Sequence, residues 1–472
     1  LGAGSAVIAL TIGLARLSDN SVFTHLATGR LIWEQGAVPS TDPYSFTAAG
    51  TPWVVQSWLA SVLMAGFERL MGPDGVRVLT GLLAAALGAL SWRLTRPARS
   101  LLMRTLLTGF VLVLGSTFWS PRPLLFGLVA MAMALVITEE DRDPRWLAPL
   151  FWVWVNTHGS FPLGLVALGA LAVGAHFDGP EDRRHSRRRG LLWAGVGTLA
   201  GVVSPLGLHA LTFPVTVLGR SSILGRVVEW QSPKFAAGYS RVFLAQVLLA
   251  VLALVRVPRW RIAIPLVVFT AAALLGLRNI PVASLVLLPG MAWGVRDIGS
   301  LRGQDRGLVP SVLAGLTAVV AGVVVLGALN RPSFDLRTYP VDAVAWMDTQ
   351  SLTAGRARVF HTDTTGNYLE LLYGDRAGVF LDDRVDMYPI PVLEDYLELN
   401  DGAYDWPAIL DRHRVDVVMW SRGSPLSVTM AETASWRVIY SDRETVVSCR
   451  RVGTDALPDP TGALGGCRRL GS

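Results

Sequence analysis

The sequence predicts a polytopic α-helical membrane protein carrying a C-terminal soluble α/β domain. Hydrophobic residues make up 51% of the chain and charged residues only 17%, and the mean hydropathy of +0.43 exceeds that of a soluble chain of this length. Apolar runs recur through the first 330 residues, and after Asn330 the pattern changes to short alternating segments.

The first run, Gly2–Leu17, has no basic stretch before it and no A-x-A site after it. It reads as a first membrane helix and not as a cleaved leader. A second run, Val54–Met71, begins beside Trp53. Others follow at Gly75–Trp92, Leu101–Phe118, Leu124–Ile137, Trp146–Val155, Phe161–Ala175, Leu191–Val203, Val242–Val255, Ile262–Leu277, Ile280–Val295 and Leu308–Leu329. Several fall short of the ~20 residues of a full span, so tilted, broken or re-entrant segments are expected among about ten to twelve membrane helices.

The net charge of +6 is not a nucleic-acid signal, because the basic residues gather in short loops between apolar runs. All of them are Arg except Lys234. The clusters Arg183–Arg189, Arg256–Arg261 and Arg296–Arg306 mark cytoplasmic loops. Counting from them places Arg122, Asn156, His158, Glu229, Arg278 and everything after Asn330 outside, and Arg93–Arg104 inside. An outer loop over 18–53 conflicts with this count, because two candidate spans separate it from Arg93. Either one fails to span or the basic segment breaks the charge rule.

The loop over 18–53 lies between two apolar segments and carries Asp19, Glu34, Asp42 and His25. A carboxylate at a membrane edge suits proton transfer, and a plain connecting loop is the structural alternative. Arg122 in WSPRP and Arg278 in LRNIP lie between apolar runs, where an Arg is costly unless it is paired or faces a cavity. A guanidinium fork suits phosphate oxygens; snorkelling to headgroups is the alternative. His158 and Asn156 stand where a helix gives way to the NTHGS loop, as ligand donors or as a helix-end cap. Glu229 and Trp230 offer a carboxylate beside an aromatic plate, suited to a sugar or to a surface loop. If Ser21–Trp33 is helical, His25 shares a face with Asp19.

After residue 330 the segments 357–361, 377–383, 415–421, 436–442 and 444–450 read as strands, with helices near 340–349 and 366–373. The domains are thus 1–330, including the loop 18–53, then 331–456, and a disordered Pro- and Gly-rich tail over 457–472. Asp382, Asp383, Arg384, Asp386 and Tyr388 follow the second of those segments, where α/β sheets place ligand contacts; a solvated, salt-bridged loop is the alternative. A Cys449–Cys467 disulfide is left open. No P-loop, dinucleotide fingerprint, zinc spacing, nucleophile elbow or nucleic-acid module is visible.

With these residues in view, the set DPYSFT, VWVNTHGS, SPLGL, EWQSP, LRNIP, GNYLELL and FLDDRVDMY, together with an Asp directly after the first helix, resembles the GT-C superfamily of membrane glycosyltransferases. The chain is most similar to an uncharacterised bacterial branch, and more distantly to protein O-mannosyltransferases and lipid A aminoarabinose transferases. The resemblance implies an inverting sugar transferase on the outer face of the cytoplasmic membrane. Its donor would be a polyprenyl-phosphate or polyprenyl-diphosphate sugar, and its acceptor a glycan, lipid or protein of the cell envelope.

The resemblance implies a general base in the first outer loop, and the residues singled out above are the candidates for the other roles. Asp19 fits the base, with Asp42 the second candidate. Arg278, Arg122 and His158 are the candidates for holding the donor phosphate, and His25, Asn156, Glu229, Trp230, Asp383, Arg384 and Tyr388 for contacting substrate. The branch often has a second acid beside the first, and here that residue is Asn20. The acid spacing therefore gives no support for a metal, and no cofactor is implied with certainty. A non-catalytic transporter or assembly subunit that binds a lipid-linked saccharide is the competing reading.

Overall fold

In a computed structural model, residues 2–179, 184–220, 225–298 and 309–451 are described, with side chains omitted at 184–187 and 309–314. The tail 457–472, Cys467 and parts of two basic clusters lie outside them. The chain forms two compact units, Leu1–Leu17 with Gln56–Phe334, and Ser18–Val55 with Asp335–Ser472. Residues 18–53, assigned from sequence to the apolar domain, thus group with the C-terminal residues. The reason is local: the loop supplies a helix and a backbone ladder that C-terminal residues complete.

The apolar unit is all helix. It comprises α1 (Gly2–Gly13), α3 (Trp58–Met71), α4 (Pro73–Leu94), α5 (Leu101–Phe118), α6 (Leu124–Glu139), α7 (Leu147–Thr157), α8 (Phe161–Asp178), α9 (Arg184–Ala200), α10 (His209–Leu218), α11 (Gly238–Arg256), α12 (Trp260–Leu275), α13 (Ile280–Gly294) and α14 (Val309–Leu329). Helices α4, α5, α8 and α11 are long and apolar enough to cross a membrane. Five further apolar helices are shorter. Of the two candidate spans before Arg93, α3 has 14 residues and α4 has 22, so only α4 reaches the ~20 residues required.

Small residues let α1 and α4 pack closely. A Cβ at Gly88 of α4 would lie 2.6 Å from the Ser5 carbonyl oxygen, and one at Gly13 of α1 would lie 2.6 Å from that of Thr80. Close approach of this kind is how helices associate where hydrophobic burial gives no preference between helix and lipid. Buried Arg77 then ties chain ends together. Its guanidinium donates to the carbonyls of Leu14 at 3.0 Å and Ala328 at 2.8 Å and pairs with Asp74 at 2.8 Å.

The second unit starts with α2 (Ser21–Gln35), which ends at Gly36 in the left-handed conformation (φ 65°). It continues with α15 (Val341–Thr349), β1 (Val359–Phe360), α16 (Asp363–Tyr373), α17 (Ile390–Asp401), α18 (Trp406–Arg412), β2 (Val417–Ser421), α19 (Pro425–Ala431), β3 (Trp436–Ser441) and β4 (Thr445–Arg450). The strands form one sheet in the order β1-β2-β4-β3, parallel between β1 and β2 and antiparallel elsewhere. Helix α2 buries Val22, Phe23, Leu26 and Leu31, and Phe23 lies 5.2 Å from the Tyr339 ring and 6.3 Å from that of Tyr368 on α16.

Segment 377–383 is not the strand its pattern predicts. Gly378 has φ 57°, which breaks extended geometry, and a single bridge pairs Val379 with Ser45. The Val379 N–H donates to the Tyr44 carbonyl at 3.0 Å and the Phe46 N–H to that of Val379 at 3.0 Å. The run pairs its backbone with the first loop, and its Phe380 ring packs between Phe46 of that loop, at 5.8 Å, and Phe360 of β1, at 4.8 Å.

Candidate functional site

In the second unit, Asp19 directly precedes α2 and is half-buried. Its Oδ1 accepts the Ser21 N–H at 3.1 Å, and its carbonyl accepts the Val22 N–H at 3.3 Å. Orphan amides at a helix start favour an anion, so Asp19 is a carboxylate held at a helix N-terminus. Ser21–Trp33 is helical as the His25 argument required, but Asp19 stands before the first helical residue, so helical spacing does not place the two on one face. His25 is half-buried within α2.

Asp42, Arg384 and Tyr388 come together in the interior, 346 positions apart at the extremes of the sequence numbering but adjacent in space. Arg384 forms a two-pronged pair with Asp382, Nε to Oδ1 at 2.8 Å and Nη2 to Oδ2 at 2.5 Å. The same Nη2 lies 2.8 Å from Asp42 Oδ1 and 3.6 Å from Glu370 Oε1. The guanidinium faces the rings of Trp53 at 4.4 Å and Tyr44 at 4.9 Å, and Tyr388 Oη donates to Asp382 at 2.5 Å. Asp42 also accepts the N–H groups of Tyr44 at 3.2 Å and Ser45 at 3.0 Å.

Arg384 and Tyr388, expected to contact substrate, and Asp42, the second base candidate, thus lie together in the interior of the second unit. Arg384 is 7% exposed and Asp42 5%; Arg384 pairs through Nε and Nη2, and its Nη1 makes no hydrogen bond. The solvated-loop alternative for this acidic run fails, because Asp382 is fully buried. Burial opposes each charge, but the partners decide the outcome: the Asp382 carboxyl is held below its usual range by Arg384, and the Arg384 guanidinium above its own by Asp382 and Glu370.

Glu370 goes the other way. Burial and the neighbouring Asp382 carboxylate push its carboxyl well above the usual range. Its Oε1 makes no hydrogen bond and lies 3.6 Å from Arg384 Nη2. Its Oε2 accepts the Thr24 hydroxyl of α2. Asp383, half-buried beside the cluster, accepts from Asn367 Nδ2 at 2.6 Å.

Thr24, Tyr44, Trp53, Asn367 and Glu370 escaped the sequence reading. One signal was present: Asn367 and Glu370 stand three apart on an otherwise apolar helix, hence on one face. Asn20 and Thr24, four apart, repeat it at the start of α2.

In the apolar unit, Arg122, Glu229, Trp230 and Arg278 converge. Arg122 forms an ion pair with Glu229, and the Arg278 guanidinium lies 4.1 Å over the Trp230 ring. The short turns Val228–Trp230 and Leu277–Asn279 are joined by the Leu277 N–H donating to the Gln231 carbonyl at 2.9 Å. Among the described residues Arg278 makes no ion pair and no guanidinium hydrogen bond. Its planar face is held by Trp230.

Asn156 does not join this cluster. It is fully buried, accepts the Trp58 Nε1–H at 2.9 Å and donates to the Trp152 carbonyl at 2.8 Å, so its substrate-contact expectation gives way to a structural role between α3 and α7. His158 follows the last residue of α7, and its Nδ1 lies 2.8 Å from Ser160 Oγ and accepts the Ser160 N–H at 3.2 Å. That is the helix-end turn named as its alternative.

No group of three or more metal-ligating side chains occurs among the described residues. No protein-family model matches the chain, and no curated protein matches it. Three solved structures from Archaeoglobus fulgidus share its fold. The oligosaccharyltransferase AglB in complex with an inhibitory peptide and a dolichol-phosphate superimposes with a TM-score of 0.56 at 10% identity, covering 88% of this chain and 69% of AglB. The apo form gives 0.55 at 11% identity over 89% and 69%. The form tethered to an acceptor peptide containing the NVT sequon gives 0.53 at 10% identity over 88% and 68%. The chain therefore shares the fold of these oligosaccharyltransferase structures.

Proposed function

We propose that this protein is a membrane glycosyltransferase that takes a sugar from a polyprenyl-phosphate-linked donor and passes it to a cell-envelope acceptor. Its place is the cytoplasmic membrane, with the second unit outside. The observation that supports this reading most is the convergence of Arg122, Glu229, Trp230 and Arg278, in a fold shared with an enzyme solved with dolichol-phosphate. Fold alone does not assign activity, so the chemistry rests on these side chains.

The donor phosphate carries the charge of the leaving group, and Arg278, stacked but without an anionic partner, supplies N–H donors to it. Arg122 stands ready beside it, tethered by Glu229. Trp230 offers an apolar plate on which a sugar ring packs. Asp19 takes the proton of the acceptor nucleophile as that nucleophile attacks the anomeric carbon and the phosphate leaves, with inversion. The Ser21 N–H bond of Asp19 supports a competing structural role for that residue as a helix start.

The test is transfer by the full chain in nanodiscs, using radiolabelled polyprenyl-phosphate sugars and extracted envelope acceptors. Wild type is expected to transfer, and Asp19→Asn to retain donor binding while losing at least a hundredfold in rate. Saturable donor binding without turnover by either protein would overturn the reading in favour of a binding subunit.

A further inference from the structure

The motifs GNYLELL and FLDDRVDMY take no part in the transfer chemistry above, yet their polar residues meet α2 in one buried line. Asn367 of α16 stands at its centre and is fully buried. Its Oδ1 accepts from Asn20 Nδ2 at 3.3 Å. Its Nδ2 donates to Thr24 Oγ1 at 2.5 Å and to Asp383 Oδ1 at 2.6 Å. Thr24 passes its own hydrogen to Glu370. Both amide hydrogens and the amide oxygen of Asn367 are thus engaged, and no other residue type of this size offers two donors and an acceptor in one plane.

A buried amide of this kind costs desolvation that a Leu would avoid, so its geometry calls for a reason. Asn20 and Thr24 flank the first turn of α2, and tying both to one rigid amide fixes that turn in rotation and in height. The residue immediately before it is Asp19, whose Oδ1 is itself bound to the Ser21 N–H of the same turn. Orientation of a reacting group to within a fraction of an ångström is worth large factors in rate.

We propose that Asn367 is a positioning residue for Asp19, acting through Asn20 and Thr24 and carrying Asp383 on the same amide. The inference rests on the reading of Asp19 as the general base. Asn367 touches no substrate; it sets where the Asp19 carboxylate points.

The test uses the full chain in nanodiscs with Asn367→Ala, Asn20→Ala and Asp19→Asn, and two readouts. The first is transfer kinetics with a polyprenyl-phosphate sugar. The second is amide exchange at residues 21–23, whose N–H groups bond to residues 19 and 20, against exchange in Val417–Ser421 as an internal control. For Asn367→Ala, kcat is expected to fall at least tenfold with the donor KM within twofold, and exchange at 21–23 to rise at least tenfold while the strand stays protected. Asn20→Ala, at a half-buried side chain, should show the same split more weakly.

Unchanged kcat and unchanged exchange at 21–23 in both variants would overturn the proposal. If Asn367→Ala also loses protection in the strand, Asn20→Ala decides alone. If Asp19→Asn transfers as fast as wild type, the base assignment falls, and with it the positioning role. If no donor turns over, the transfer reading fails separately, and the exchange data alone decide whether Asn367 sets the first turn of α2.

Discussion

Arg384 Nη2 lies 2.8 Å from Asp42 Oδ1, which joins the FLDDRVDMY segment to the DPYSFT segment inside one unit. Both side chains are buried, and the second carboxylate on the guanidinium, Asp382, comes from the same turn as Arg384. Removing one member of such a pair leaves the others charged and unpaired. Arg384→Met is therefore expected to destabilise the second unit by about 3–5 kcal/mol. Denaturant unfolding followed by near-ultraviolet dichroism checks this, because Trp53 and Tyr44 pack on the guanidinium. A loss below ~1 kcal/mol would refute the structural assignment.

Within the cluster, burial and the Asp382 carboxylate act together on the Glu370 carboxyl. In the folded state that carboxyl sits above its unfolded value, so the folded state holds the extra proton, and stability falls as pH rises above the unfolded value of about 4.3 and on through the folded one. Glu370→Gln keeps an acceptor for Thr24 and a donor toward Asp382 without an ionisable proton. It is expected to match wild type near pH 5 and to exceed it at pH 8, measured by melting across that range.

His361 gives a slope of opposite sign. Burial pushes its imidazole down to about 4, and its ring is neutral, with Nε2 accepting the Phe380 N–H at 3.1 Å and Nδ1 bonded to the Thr362 carbonyl at 2.9 Å. Between the unfolded value of about 6.5 and the folded value, the unfolded state binds the extra proton, so stability falls as pH drops through that window. The loss amounts to roughly 2–4 kcal/mol. His361→Gln should flatten the wild-type slope between pH 6.5 and 4, and an unchanged slope would assign it to another group.

Arg278 is expected to report the donor phosphate. Arg278→Ala should raise the donor KM tenfold or more in the transfer assay. Arg278→Lys should recover only part of the loss, because an ammonium keeps the charge but neither stacks on Trp230 as a plane nor presents a fork. Full recovery by Lys would reduce the role of Arg278 to bulk charge.

The apolar helices were legible because one-dimensional hydrophobic runs decide them: Leu101–Phe118 has the same bounds in sequence and structure, and Ile280–Gly294 ends one residue before its run. The last three strands were legible from alternation, with Val417–Ser421, Trp436–Ser441 and Thr445–Arg450 each inside the segment read for it. Segment 377–383 was not, because its backbone pairs with residues 44–46, more than 300 positions away. A burial pattern records that a side chain is hidden, and not which backbone pairs with it.

By itself the sequence determined the class of the chain, its division near residue 330, and the arginines at the ends of its apolar runs, since composition and hydropathy act locally. Only the tertiary structure decided that the first loop folds with the C-terminal residues. Only the tertiary structure gathered Asp42 and Arg384 into a buried ion cluster, brought Arg278 onto Trp230, and drew Asn367 to the start of α2. Charge pairing and hydrogen bonding act over a few ångströms of space, and distance along the chain carries no record of them.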